Sequence, residues 1–209
     1  MDERSWEGLL ESALAILTDI REQGDGEPDL VMGGGTVLMM RMRHRLSRDI
    51  DLFLHDAQWL ARLTPRLNDR IAARVRDYVE QANAVKLVLP QGDIDFVVAG
   101  RVTGVVPHET LEFGGRRISL EATEEILAKK LFYRAGLLKP RDAFDLVAAS
   151  MISPRASAIA IDASAPRRDA QLLSQDIAAI GDFAQIVPTM IDAALALIEE
   201  RHEAKERPS

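Results

Sequence analysis

Two pairs of aspartates raise the question of chemistry: Asp49 and Asp51 in "RDIDLFL", and Asp93 and Asp95 in "GDIDFVV". Each pair is spaced by two in a stretch rich in strand formers. Side-chain direction in a strand repeats every two residues, so both carboxylates of a pair share one face. Two carboxylates there repel unless something cationic sits between them. Mg²⁺ is the usual choice, because it accepts one or two protein carboxylates and leaves the rest of its shell to water and substrate phosphates. The bland alternative is a strand edge with its aspartates in solvent. Asp93 follows the turn glycine and reads as a turn residue. Asp95 lies between Ile94 and Phe96, where an unpartnered carboxylate is costly, so it calls for a partner such as a metal. A strand beside "DIDLFL" would bring Asp95 to the same cluster.

Upstream, "VMGGGTVLMM" places Gly33, Gly34 and Gly35 between a short apolar strand and a stretch with helical spacing. Such a turn brings backbone N–H groups and the positive end of a helix toward an anion, which makes a phosphate seat. It also reads as no more than a tight turn. Neither G-x-G-x-x-G nor a glycine-lysine-serine/threonine loop follows the strand, so the two common nucleotide fingerprints are disfavoured.

The elements that must position these residues follow from periodicity. Residues 5–23 carry Trp6, Leu9, Leu10, Ala13, Ile16, Leu17 and Ile20 at helical spacing. A break at "GDGEP" precedes the strand "DLVM". Residues 36–46 read as a helix with Leu38, Met42 and Leu46 on a packing stripe and Arg41, Arg45 and Arg48 facing out. "DAQWLARLTPRLNDRIAARV" suggests a helix broken near Pro65. "AVKLVL" with "DIDFVV", and "ETLEF" with "RRISLE", read as two hairpins. From Thr123 the pattern is helical over about 124–135, 140–152, 168–180 and 184–202, with "SPRASAIAIDASAPRR" as the expected flexible joint.

Composition bounds the answer. A chain of 209 residues, 47% apolar and 28% charged, holds one domain or a core with a helical annex. With no cysteine, disulfides and thiolate chemistry are excluded, and any metal is oxygen-bound. The acidic start and the lack of any run of about 18 apolar residues lead us to expect a cytoplasmic protein without a membrane span. A net charge of −7 argues against a general nucleic-acid coat. Two basic clusters remain, one of Arg41, Arg43, Arg45 and Arg48, the other of Lys129, Lys130, Arg134, Lys139 and Arg141.

Taken in order, "GG-T-x-L" (Gly34, Gly35, Thr36, Leu38), "H-R-x-S-x-D-I-D-L-F" (His44 to Phe53) and the later strand aspartate resemble the DNA polymerase β-like nucleotidyltransferases. Within that superfamily the chain looks like the AbiEii-type toxins of type IV toxin–antitoxin systems. The stretch Glu124 to Leu146 adds the similar pattern of a helix with "A-x-K-L", an arginine, then "K-x-R-D-x-x-D". The resemblance covers roughly 30 to 145. It implies an α+β fold: a nucleotidyltransferase core with a mixed sheet flanked by helices over 1–122, and a helical region carrying "K-x-R-D-x-x-D" over 123–205.

The same resemblance implies that Asp49, Asp51 and Asp95 hold two Mg²⁺ ions, and that Gly34, Gly35 and Thr36 seat the triphosphate of an NTP. Thr36 would donate to a phosphate oxygen, although on its own it also reads as a helix-start residue. Lys130, with Arg134 on the same helix face, would reach the phosphates, and Lys129 is read as solvated. Asp142 positions that lysine or acts as a base, or forms a salt bridge with Arg141 or Lys139. Arg45 and Ser47 orient the metal aspartates or guide an RNA end, or the arginines are simply a solvated face. The activity implied is transfer of a nucleoside monophosphate from an NTP to an acceptor, the 3′ end of tRNA foremost, by a toxin restrained by a separately encoded antitoxin. Transfer to a small molecule, as in antibiotic-modifying relatives, and a binding protein without turnover are the alternatives.

Overall fold

The computed structural model describes residues 5–134, 138–165, 175 and 196–199. The chain divides into two compact units, one of Met1–Gly100 with Pro107–Glu121, the other of Arg101–Val106 with Ala122–Ser209.

The first unit is a mixed seven-stranded sheet with helices. In chain order it contains α1 (Ser5–Ile20), β1 (Leu30–Gly33), α2 (Gly34–Met42), β2 (Ile50–Leu54), α3 (Gln58–Leu63), α4 (Asp69–Ala72), β3 (Asp77–Gln81), β4 (Ala84–Leu89), β5 (Gly92–Val98), β6 (Glu109–Phe113) and β7 (Arg116–Leu120). The sheet order is β3-β4-β5-β2-β1-β7-β6. β1 pairs antiparallel with β2 and parallel with β7, and β2 pairs parallel with β5. The mixed α+β class expected from the sequence is the class observed.

Alternation decides which face of the sheet is covered. Ile50, Leu52 and Leu54 of β2, Val85 and Leu87 of β4, and Ile94 and Phe96 of β5 are buried. α1 lies along β5 and β2. Its Leu9, Leu10, Ala13, Ile16, Leu17 and Ile20 are all buried, as their spacing predicts. Each such Leu or Ile contributes about 1.5–3 kcal/mol relative to exposure. The alternate residues of the same strands stay partly open, and among them are Asp51, Lys86, Asp93 and Asp95.

Several boundaries differ from the sequence reading. α2 ends at Met42, four residues early, because Arg43 takes a left-handed conformation (φ 51°) while its N–H closes onto the Met39 carbonyl at 2.8 Å. Leu46, placed on the packing stripe, is exposed, and Arg45 and Arg48 lie beyond the helix. Arg41 does not face out freely: Nε and Nη2 bind the Glu109 carboxylate, and Nη1 donates to the Glu121 carbonyl at 2.8 Å. The break near Pro65 separates α3 from α4, whose start is capped by Asn68 accepting from the Ile71 N–H. β3 was not anticipated; as an edge strand with mostly exposed residues it lacks the alternation that marks its neighbours.

The second unit contains α5 (Thr123–Tyr133), α6 (Pro140–Ile152) and α7 (Pro154–Ser164). α7 corrects the expected flexible joint. It packs on α5 and α6 through buried Ala156, Ala160 and Ile161, with buried Ser157 and Ser164. A stripe of small residues at helical spacing carries little hydrophobic signal, and this one was missed. Buried Glu125 of α5 accepts from the N–H groups of Val102 and Thr103 at 2.7 and 2.8 Å, which ties the 101–106 segment to this unit. The helices expected over 168–180 and 184–202 lie almost wholly outside the described residues. No helix among the described residues is long and apolar enough to cross a membrane.

Candidate active site

The glycine turn and the aspartates meet through strand register. Gly33 pairs with Asp51, Asp51 with Asp95, Asp95 with Lys86, and Lys86 with Val79. In-register partners project to the same face, so one row crosses five strands and carries two carboxylates and an ammonium at its centre. Asp49 stands two residues before Asp51, just ahead of β2.

Gly34 accounts for the need for glycine here. Its φ is +67°, and a Cβ added to it would lie 1.8 Å from Asp51 Oδ2. The missing side chain is what lets the Asp51 carboxylate rest against the first turn of α2, where the helix end favours negative charge. A Cβ on Gly33 would meet Glu121 Oε2 at 2.5 Å and Phe53 at 2.7 Å. At Gly35 the obstacle is the end of the Arg45 side chain, 2.6 Å away, with Ser47 Oγ at 3.1 Å. Arg45 and Ser47 therefore lie over the glycine turn.

Thr36 is placed differently from its expected role. It is fully buried, and its hydroxyl donates to the Asp49 carbonyl at 2.5 Å. It fixes the backbone that leads Asp49 into β2, and its one proton is committed there.

The sequence reading passed over Lys86. Its Nζ lies 2.7 Å from Asp95 Oδ2 and 3.1 Å from Asp93 Oδ2, so Asp93 is a strand residue in an ion pair and not only a turn residue. The signal was available: in "AVKLVL" it is the one charge in an apolar strand. Burial pushes the Asp95 carboxyl above its ordinary pKa. The hydrogen bond from Lys86 pulls it down, while Asp51 across the strand pushes it further up. Burial works against the Lys86 charge too, yet Asp95 and Asp93 outweigh it and hold its pKa up. One ammonium thus answers two carboxylates, and Asp95 stays above its ordinary range all the same.

Two carboxylates in adjacent register fit a hard divalent cation. Asp51 and Asp95 offer oxygen donors side by side, the one or two carboxylates that Mg²⁺ takes from a protein. Among the described residues, no three carboxylate or histidine side chains are gathered closely enough to form a ready-made ion cage. The remaining shell falls to water and substrate oxygens.

Lys130, Arg134 and Asp142 are brought together in the second unit. Lys130 Nζ lies 2.8 Å from Asp142 Oδ1 and 3.2 Å from Asp145 Oδ2, and Arg134 Nη1 lies 2.5 Å from Asp142 Oδ2. Both carboxylates are fully buried, whereas Lys130 keeps 11% of its side chain exposed. Burial raises the Asp142 pKa, but Lys130 and Arg134 prevail and hold it below the usual carboxylate range. Asp142 also accepts from the Lys139 N–H at 3.3 Å, capping α6. Its ion-pair partners are thus Lys130 and Arg134, not Arg141 or Lys139, and a carboxylate so fully paired positions Lys130. Lys129, expected to be solvated, is 7% exposed and pairs with Glu125 at 3.9 Å.

The frame of the site is a mixed sheet with a carboxylate row beside a glycine-started helix, and the sequence assigns the chain that carries it. The model of the nucleotidyl transferase AbiEii toxin family of type IV toxin–antitoxin systems matches residues 15–205, and the chain belongs to that family of nucleotidyltransferases. No curated protein matches the sequence. Among solved structures, the antibiotic-resistance factor ANT(2'')-Ia in solution is similar with a TM-score of 0.39 at 14% identity, over 98% of this chain and 97% of that one. An antigenic nucleotidyltransferase-like protein from Paracoccidioides brasiliensis gives 0.38 at 18% identity, over 86% and 89%.

Proposed function

We propose that the protein transfers a nucleoside monophosphate from an NTP to an acceptor hydroxyl, with the 3′ end of tRNA as the acceptor, and acts as a toxin held in check by a separately encoded antitoxin. The observation that carries the chemistry is the Gly33–Asp51–Asp95–Lys86 row, with Gly34 opened up to make room for the Asp51 carboxylate. In the reaction the acceptor oxygen bonds to the α-phosphorus while the bond to the pyrophosphate oxygen breaks, and the hydroxyl proton passes to solvent.

Asp51 and Asp95, with Asp49, would hold Mg²⁺, which would supply charge neutralisation at the phosphates and a lowered pKa at the acceptor hydroxyl. The residues of the chain do the positioning. The start of α2 directs its free N–H groups toward anionic oxygens. Thr36 locks Asp49 in place from beneath. In the second unit, Asp142 and Asp145 hold the Lys130 ammonium in a fixed place.

Incubation of the full chain with Mg²⁺, each α-³²P NTP in turn and total tRNA, beside Asp49→Ala and Asp51→Ala, tests this reading. Label on tRNA that disappears in both variants is the expected result. Label on a small molecule alone would move the acceptor to the antibiotic-modifying kind. NTP binding with no label on any acceptor would make the chain a binder.

A further inference from the structure

We infer that Lys86 is an internal stand-in for the metal: in the metal-free protein its ammonium takes the cation's place on Asp95, and a divalent ion must displace it to bind. This rests on the reading that Asp51 and Asp95 hold the ion. Nζ is 2.7 Å from Asp95 Oδ2, the carboxylate next in register to Asp51, and 3.1 Å from Asp93 Oδ2. One ammonium therefore serves two carboxylates, and it can release Asp95 while keeping Asp93.

Exposure supports an exchange over a fixed structural pair. The Lys86 side chain is 34% exposed and sits on a flexible four-carbon stem, beside Val79 at the open edge, itself 46% exposed. A pair this open adds little stability. Its neighbours in the strand, Val85, Leu87 and Leu89, are buried on the other face and leave its stem free to swing. A lysine here instead restrains the repulsion among Asp51, Asp93 and Asp95 until a metal arrives with the nucleotide, and it lowers affinity for a bare ion.

Mn²⁺ binding to the full chain without nucleotide, followed by calorimetry and by the spin-resonance signal of free Mn²⁺, tests the exchange. Lys86→Met should bind Mn²⁺ roughly two- to fivefold more tightly than the wild type, the scale set by a partly exposed ion pair that the metal no longer has to break. Lys86→Arg, which keeps a cation on Asp95, should stay near the wild-type value. Lys86→Gln serves should the Met variant misfold. Equal or weaker binding by the neutral variants overturns the inference while Asp51→Asn still abolishes binding. Absence of Mn²⁺ binding in the wild type, or binding indifferent to Asp51→Asn, removes the metal reading and the inference with it.

Discussion

The two acidic clusters use the same residue types to opposite ends. In the second unit, buried Asp142 and Asp145 are matched by Lys130 and Arg134, and the Asp142 pKa falls. In the first, Asp93 and Asp95 share Lys86, and the Asp95 pKa rises. A balanced cluster closed from water holds a fold together. The first cluster is more open to water, and on the proposed reading a bound cation would add to its stability.

The sharpest test of the difference is to neutralise one acid in each cluster. Asp51→Asn should lower transfer roughly 10³-fold, while its melting temperature in EDTA should equal or exceed the wild type, since it relieves Asp95. A clear loss of thermal stability would make the first cluster structural as well. Asp142→Ala should cost about 3 kcal/mol in urea unfolding, because two cations lose a buried partner. Linkage gives this a pH signature. A depressed folded pKa contributes stability that is complete above the ordinary carboxylate value of about 4 and is lost as pH falls through the lower folded value. Asp142→Asn should therefore flatten the fall in stability below about pH 4. An unchanged acid limb would show that the pairs do not hold the unit.

Smaller changes probe the frame around the first cluster. Gly34→Ala should cost about 2 kcal/mol from the positive φ and the clash with Asp51, with activity falling alongside; unaltered activity would show that the turn can yield. Thr36→Val, assayed by urea unfolding and initial transfer rate, should cost about 1 kcal/mol for the hydrogen bond removed from the Asp49 carbonyl.

Much of this was legible beforehand. The buried stripe of α1 and the alternation of β2 and β5 leave a strong periodic trace, and "D-I-D" in a strand fixes a shared face. α7 left almost none, being packed through alanines and serines, and the exposed edge strand β3 left little. The arginines of "RMRHRLSR" read as one helical stripe because periodicity does not reveal where Arg43 turns left-handed.

Sequence by itself determined which residues can do chemistry: carboxylates two apart, glycines before a helix, a lysine four residues ahead of an arginine, all of which are local spacings. Only the tertiary structure decided who meets whom. Setting Asp51 beside Asp95 requires strands distant in sequence to come into register, whereas turning Lys86 toward Asp93 and Asp95, aiming Thr36 at a backbone carbonyl and closing Asp142 on Lys130 depend on how neighbouring elements pack. That register is set by the packing of whole faces, and no short window of residues records it.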